Sequence, residues 1–216
     1  TYMSLQKQDF KLTSKTILKI SKRTLIIFVI GLMITWFGST LPIWCGSPDL
    51  SFAQRLTKSI DVFSHLRILG VMQRLALTYG VTAIVALLVK QRLIPYIIAT
   101  LLLIYSVILL LGNGYVYGES NILSIVDRAV LGVNHMYRDN GIDPEGVLST
   151  IPAIAHVMLG FYIGKLFVNA KRVEDKIQIL FITGAILTFL GFALSYGLPI
   201  NKKIWSPTFV LVTCGL

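Results

Sequence analysis

The sequence predicts an all-α fold, a polytopic transmembrane helix bundle with about five complete spans and partial helices at both ends. Hydrophobic residues make up 55% of the 216 residues and charged residues only 14%, whereas a soluble domain has about 25% charged residues. The apolar residues come in runs of about 20, the length that crosses a bilayer core. We expect residues 1–216 to form a single transmembrane domain. Because the chain starts at Thr1 without an initiator Met and stops inside an apolar run, we expect it to be a fragment of a longer membrane protein.

Five apolar runs predict the complete spans. The first has no charge, the second carries Arg74 near its start, and a short basic turn separates the second from the third. The fourth contains His156, together with Gly160 and Gly164 at a spacing that favours close helix packing. The predicted spans are 24–41, 71–89, 93–112, 147–168 and 177–200, and a sixth begins at 204.

Two connections between the predicted spans are long. They cover 42–70 and 113–144, and the first contains a segment, 52–56, that predicts a short interfacial helix. Long connections of this kind are often functional. The second carries four of the ten acidic residues, and two acids lie where it meets the fourth span.

Asp143, Pro144 and Glu145 directly precede the fourth apolar run. Aspartate followed by proline is the pattern of a helix N-cap and first helical residue, and Glu145 would add a favourable charge at the positive end of the helix dipole. Acids at a membrane entrance also serve as general bases or bind ammonium groups. Both interpretations stay open for Asp143 and for Glu145.

The net charge of +10 predicts membrane topology and not nucleic-acid binding, because the basic residues lie between apolar runs without interleaved aromatics. The side that holds residues 1–23 carries 12 Lys and Arg, and the opposite side carries 8. The positive-inside rule makes the first side cytoplasmic and the loops 42–70 and 113–144 exoplasmic. Lys7, Lys11, Lys15 and Lys19 predict a basic helix stripe, either for anionic headgroups or as a solvated face.

Nearly all the unusual polar residues fall on the predicted exoplasmic side. Arg67 and Arg74 are seven residues apart, and thus on one face if helical, where they would pair with the acids across the bundle or bind an anionic group. Lys202 and Lys203 would anchor to headgroups or bind substrate. The full set is Arg67, Gln73, Arg74, Asp127, Arg128, Asn134, His135, Tyr137, Asp143, Glu145, Asn201, Lys202, Lys203 and Trp205.

The histidines and cysteines do not form a metal-ligand pattern. Cys45 and Cys214 are far apart and predict free thiols, so we expect no metal. His135 is a candidate base because its ordinary pKa is close to neutral, although a loop histidine is more often a surface group. His156 lies inside a span, where an ionisable residue is often functional; we expect a neutral ring bonded to a neighbouring helix. His65 is expected at the interface.

Several segments together resemble the heparan-α-glucosaminide N-acetyltransferase family of multi-span membrane proteins, in its bacterial branch. The segments are 67–75, 127–128, 135–137, 143–151 with its Asp-Pro-Glu-Gly motif, and 199–206 with its Asn-Lys and Trp residues. They occur in the order found in that family.

The resemblance implies transfer of acetyl from cytoplasmic acetyl-CoA to the amine of an exoplasmic amino sugar or glycan of the glucosamine type. It implies the bacterial cytoplasmic (inner) membrane, and a homo-oligomer is compatible with it. The family usually has proline where this chain has Leu69. The histidine usually proposed as catalytic would precede Thr1, so the fragment alone is expected to be inactive.

The chemistry of acyl transfer then gives a hypothesis for the site. The amine must be neutral to attack the thioester, so a base is needed to accept its proton. The catalytic candidates are Glu145, Asp143 and His135. Polar side chains would stabilise the oxyanion or hold sugar hydroxyls. The substrate-binding candidates are Arg67, Gln73, Arg74, Asn201, Lys202 and Trp205, and the cytoplasmic bases Lys90, Arg92 and Lys171 would meet the CoA phosphates.

Two other functions remain open at this point. In a sugar or glycan transporter or permease component, His156 and the exoplasmic polar groups would line a pathway. In a membrane scaffold without catalysis, neither acetyl-CoA binding nor substrate movement is expected.

Overall fold

A computed structural model describes residues 2, 6, 10, 12–46, 49–137 and 141–216, and every regular element in this part of the chain is a helix. Five helices, α1, α3, α4, α6 and α7, are long and apolar enough to cross a membrane. The predicted polytopic helix bundle is therefore confirmed. The helices are α1 Ser14–Cys45, α2 Phe52–Asp61, α3 Val71–Leu88, α4 Ile94–Leu111, α5 Ile122–Leu131, α6 Thr150–Asn169, α7 Val173–Leu194 and α8 Pro207–Gly215, with 3-10 turns at Val62–His65 and Val133–His135.

Helix α6 is central in the bundle, since it packs against α3, α4, α7 and α8, while α1 packs on α3. Small residues allow the closest approaches. A Cβ atom at Gly31 would lie 2.7 Å from the Cβ of Met72, and one at Gly80 would lie 2.8 Å from Oγ1 of Thr24. Glycine at these positions lets the α1 and α3 backbones come together in the way typical of membrane helices.

The expectation that Gly160 and Gly164 mediate close packing was wrong. A Cβ atom at either position would meet no described atom within 4 Å. The spacing puts both glycines on one face of α6, but the neighbouring helices pack on other faces.

Helix α1 is longer than its uncharged run. It starts at Ser14, ten residues before the predicted span, and it continues past Pro42 to Cys45. Lys15 and Lys19 are exposed on its first turns, so they extend the helix beyond the apolar stretch without any burial of charge. Lys7 and Lys11 lie outside the described residues.

The predicted short helix in the first long connection exists and is longer than expected. Ser51 and Gln54 form a capping box that starts α2. Two tryptophans of α1 hold its far end: Nε1 of Trp36 donates to the Ser59 carbonyl at 3.0 Å, and Nε1 of Trp44 donates to its hydroxyl at 2.9 Å. The opposite face of α2 exposes apolar side chains, as an interfacial helix does.

Helix α6 begins at Thr150, with Ser149 at the N-cap position, and not at the predicted 147. The preceding residues form turns. The start of α6 lies beside the start of α3 and the end of α4, and the segment before α8 reaches the same place: the Tyr105 hydroxyl of α4 donates to the Ile204 carbonyl at 2.5 Å. This end of the bundle carries the polar motifs.

Candidate functional site

Asp143 organises the turn that precedes α6, and the predicted N-cap role for it was wrong. Its Oδ1 accepts the N–H of Glu145 at 3.0 Å and its Oδ2 accepts the N–H of Tyr137 at 2.8 Å. The N–H of Gly146 donates to the Asp143 carbonyl at 3.0 Å. The Asp-Pro pair therefore starts a turn that is closed by the aspartate itself, and the helix begins only after it.

Arg67 bridges the two acids of the Asp-Pro-Glu-Gly motif. Its Nη2 lies 2.5 Å from Oδ1 of Asp143 and also donates to Oε2 of Glu145. The Asp143 side chain is fully buried, whereas 16% of Glu145 is exposed. Burial alone would lower the pKa of Arg67, but hydrogen bonds and attraction from both carboxylates outweigh it and raise that pKa. The guanidinium therefore stays charged and holds Glu145 in place.

The guanidinium of Arg67 also packs over an aromatic ring. Its Cζ lies 4.7 Å from the ring centroid of Tyr137, within the range of cation–π attraction. The contact fixes the plane of the Arg67 fork, so its geometry depends on the loop that follows α5.

Arg74 lies in the first turn of α3, whereas Arg67 precedes that helix, so the two arginines do not share one helix face. Arg74 contacts the same turn, and among the described residues it has no acidic hydrogen-bond partner. Its Nη2 donates to the Pro144 carbonyl at 2.6 Å and to the hydroxyl of Ser149. Its Cζ lies 4.8 Å from the ring centroid of Trp205. Arg74 therefore connects the turn before α6 with the segment before α8.

Asp127 of α5 supports the turn from the other side. Its carboxylate is fully buried, and Oδ1 accepts the N–H of Val147 at 2.7 Å. A side chain at Gly146 would overlap this carboxylate, which explains why glycine is needed in the Asp-Pro-Glu-Gly motif. Burial raises the pKa of Asp127 to about 6, although the hydrogen bond from Val147 works in the opposite direction.

A cavity of about 450 Å³ opens between α3 and α6 beside this turn. Its volume falls within the range of small-molecule sites, about 300–1,000 Å³. Its wall contains three charged side chains, Glu145, Arg74 and Lys202, and several apolar side chains. The wall residues are Val71, Arg74, Leu75 and Thr78 of α3, Ala153, His156 and Val157 of α6, and Glu145, Lys202 and Trp205.

The segment before α8 presents Trp205 to this cavity from a closed loop. The N–H of Ser206 donates to the Asn201 carbonyl at 3.0 Å, and the N–H of Asn201 donates to the Ser206 hydroxyl at 2.9 Å. Trp205 has φ of +53°, a left-handed conformation that is rare for an aromatic residue and is typical of functional sites. Its ring centroid lies 6.0 Å from that of His156.

Arg67 and Asp143 contact Glu145 without lining the cavity, and three further sequence candidates lie away from its wall. His135 places Nδ1 2.8 Å from the Leu66 carbonyl and lines a separate cavity of about 520 Å³. Gln73 is 1% exposed and lies against Gly31 of α1. The Asn201 amide contacts the Tyr117 hydroxyl at 3.3 Å. By contrast, Glu145, Arg74, Lys202 and Trp205 meet in one cavity.

His156 was predicted to line a pathway only in a transporter and not to belong to an acyl-transfer site, and Asp127 was predicted only as one polar residue of the second long connection. A sequence signal for Asp127 was present, since residues 127–128 are one of the segments that carry the family resemblance. The described residues contain no group of three or more His, Cys, Asp and Glu that could hold a metal ion.

Comparison with known proteins gives a partial similarity. No protein-family model matches the chain. Over 103 residues, 39% of the chain, it is 33% identical to heparan-alpha-glucosaminide N-acetyltransferase of Mus musculus, and over 102 residues it is 31% identical to the Homo sapiens protein of the same name. The chain covers 16% and 15% of these relatives. The similarity thus supports a relation to that family over a limited part of the sequence.

Proposed function

We propose that this chain is part of a membrane-embedded acetyltransferase that moves an acetyl group from acetyl-CoA to the amine of a glucosamine-type sugar or glycan. One observation carries the proposal: a carboxylate held by an arginine, Glu145 with Arg67, lines a cavity of about 450 Å³ whose wall also contains an aromatic ring. The partial similarity to N-acetyltransferases supplies the reaction class.

Glu145 is the candidate base and amine-binding group. Its Oε2 is held by Arg67, while Oε1 accepts no hydrogen bond from the described residues. Asp143 is fully buried and both of its oxygens are engaged, so its role in the proposal is to position the turn. His135 contacts a backbone carbonyl in another cavity, which favours Glu145 over it.

The proposed step is an acyl transfer. In a direct transfer the amine nitrogen attacks the thioester carbonyl, the C–N bond forms, the C–S bond breaks, and the amine proton passes to Glu145. In a relayed transfer the acetyl group passes first to a group of the protein, and the amine then attacks that acetyl carbonyl in the same way. The thiolate of CoA leaves and is protonated by solvent. Lys202 at the cavity wall would stabilise the developing oxyanion, and Trp205 would contact the sugar.

The basic turns at the other end of the bundle fit a donor from the opposite side. Lys90 and Arg92 connect α3 with α4, and Lys171 connects α6 with α7. Helix α3 has 18 residues and separates this end from the cavity mouth by about 27 Å at 1.5 Å per residue. In the proposal this is the cytoplasmic side of a bacterial inner membrane, and the cavity mouth is exoplasmic.

The test uses the full-length protein in proteoliposomes with acetyl-CoA and glucosamine. We expect Glu145→Gln to lower transfer by about 10²- to 10⁴-fold, the usual contribution of a general base. Glu119→Gln is the matched control, because Glu119 is 78% exposed and bound to Arg128 away from the cavity. Unchanged transfer by Glu145→Gln would refute the role of Glu145, and sugar uptake without acetyl-CoA would favour a transporter.

A further inference from the structure

We propose that His156 is a specificity-determining residue that binds a hydroxyl group of the acceptor at the membrane end of the cavity. The inference rests on the proposed function, because it assigns the acceptor to this cavity. His156 matches none of the motifs that carry the family resemblance, and the similarity to known proteins does not assign it a role.

His156 lies inside the membrane-spanning helix α6, six residues after its start, or about 9 Å along the helix. Its ring lines the same cavity as Glu145 and Thr78. The cavity therefore extends from the charged turn to a depth where an ionisable side chain is costly unless it is used or paired.

The expected bond from His156 to a neighbouring helix is absent among the described residues. Its Nδ1 is buried and has no hydrogen-bond partner there. Buried polar atoms are nearly always satisfied, and an exception calls for a specific explanation. A ligand in the adjoining cavity provides one.

Trp205 offers a second unsatisfied ring nitrogen at the same place. Its Nε1 is buried without a partner among the described residues, and its ring centroid lies 6.0 Å from that of His156. The indole N–H only donates, whereas a neutral imidazole has one donor and one acceptor nitrogen. A hydroxyl group matches this pair, because it accepts from Trp205 and donates to His156.

The charged groups of the cavity fix the orientation of the acceptor. Glu145, Arg74 and Lys202 form the charged part of the wall, so the ammonium group of an amino sugar pairs with Glu145. A ring hydroxyl then points towards His156. In this arrangement His156 contributes to acceptor binding and Glu145 takes the proton.

The first experiment compares His156→Met and His156→Asn in the full-length protein. Methionine fills a similar volume without hydrogen bonds of comparable strength, whereas the asparagine amide can replace a ring nitrogen. We expect His156→Met to raise KM and the Kd for glucosamine by about three- to tenfold, the value of one neutral hydrogen bond, with kcat nearly unchanged. We expect His156→Asn to recover most of the affinity. Ile163→Met, on the same helix but outside the cavity wall, is the control.

The second experiment uses a set of monodeoxy glucosamines in the same binding measurement. One analogue should bind the native protein less tightly than glucosamine does, yet bind His156→Met as well as glucosamine does. This is the coupling expected when two variants remove the same contact. Native Kd values for His156→Met, or equal losses for every analogue in both proteins, would overturn the proposal.

The binding measurement separates this inference from the proposed function. If the native protein binds glucosamine but transfers no acetyl group, the acetyltransferase proposal fails while the His156 proposal is still tested. If kcat falls in His156→Met with KM and Kd unchanged, the specificity role is refuted. Should His156→Met fail to fold in detergent, the deoxy series is measured on His156→Asn and His156→Gln, and equal losses for every analogue would overturn the proposal in the same way.

Discussion

The backbone N–H of Val147 donates to Oδ1 of Asp127 at 2.7 Å, and the same carboxylate occupies the space that a side chain at position 146 would need. Helix α5 therefore holds the turn before α6 from one side. From the other side, Arg67 binds the two carboxylates of the turn. Arg74 binds the Pro144 carbonyl and the Ser149 hydroxyl. The position of Glu145 follows from three buried or half-buried groups that are distant in the sequence.

The free energy of unfolding should depend on pH through Asp127. Burial raises its folded pKa to about 6 from 3.8, which corresponds to about 3 kcal/mol. Well below pH 3.8, Asp127 is protonated in both the folded and the unfolded state. As pH rises from 3.8 to 6, the unfolded state ionises first, so the free energy of unfolding falls by about this amount. We expect Asp127→Asn, which keeps the acceptor for Val147, to gain stability relative to the native protein between pH 4 and 7. Thermal unfolding in detergent across this range measures it.

The comparison of the two pH profiles isolates Asp127, since every other group titrates in both proteins. Parallel profiles for the native protein and Asp127→Asn would show that folding does not raise the pKa of Asp127. A gain of the variant that grows from about pH 4 to pH 6 and stays constant above pH 6 would agree with the expected direction.

Gly146→Ala should destabilise the protein and lower transfer together. The added Cβ overlaps the Asp127 carboxylate, and steric overpacking of a buried site costs about 1–3 kcal/mol. The movement needed to relieve the overlap also shifts Glu145, which is the adjacent residue. Thermal unfolding and acetyl transfer are measured on the same sample.

Gly160→Ala is the control for Gly146→Ala, because a Cβ at Gly160 meets no described atom within 4 Å. Alanine favours helix over glycine by about 1 kcal/mol, so this variant should be neutral or slightly more stable. Equal behaviour of the two alanine variants would contradict the close contact between Gly146 and Asp127.

The spans were predictable wherever the apolar run had clear ends. Helices α3 and α4 begin and end within one residue of the predicted 71–89 and 93–112, because a tight basic turn separates them. The start of α1 was missed, since Lys15 and Lys19 are tolerated on an exposed helix face. Hydropathy defines the membrane part of a helix, and the helix itself continues into the aqueous region.

The start of α6 was missed for a different reason. Asp143 and Pro144 fit a helix N-terminus by local rules, but Asp143 is bound by Arg67, which lies 76 residues earlier in the chain. A contact at that distance is decided by packing between helices and has no local signal. Packing between helices also places His135 in a different cavity from Glu145 and places His156 in the same cavity as Glu145. The local sequence has no signal for either position.

Arg67→Gln should be among the most destabilising single changes in the polar cluster. It leaves the fully buried Asp143 and the mostly buried Glu145 without their shared cation. Breaking a buried pair costs about 3–5 kcal/mol, and we expect roughly 2–4 kcal/mol here because 23% of the Arg67 side chain is exposed. The free energy of unfolding is measured with chemical denaturant.

A second change in the same cluster tests the cause. Arg67→Gln combined with Glu145→Gln removes one of the two uncompensated charges, so it should recover part of the loss. Arg128→Gln is the control, since Arg128 is about as exposed as Arg67 but its partner Glu119 is 78% exposed, and pairs with an exposed partner contribute little. A loss as large in Arg128→Gln as in Arg67→Gln would argue against burial as the source of the effect.

Ser59→Ala should loosen α2 from α1. The hydroxyl of Ser59 accepts Nε1 of Trp44 at 2.9 Å and is only 2% exposed, while Trp36 binds the carbonyl and keeps its bond. Losing the bond from Trp44 costs about 1 kcal/mol, which corresponds to about fivefold faster amide exchange in α2 if exchange follows local opening. The bond that the Ser59 hydroxyl donates to the Arg55 carbonyl is lost as well, and Thr57→Ala loses the equivalent bond to Ala53. Thr57→Ala on the exposed face of α2 is the control. Hydrogen exchange over Phe52–Asp61 measures the difference, and equal protection in both variants would show that the Trp44 bond does not hold the helix.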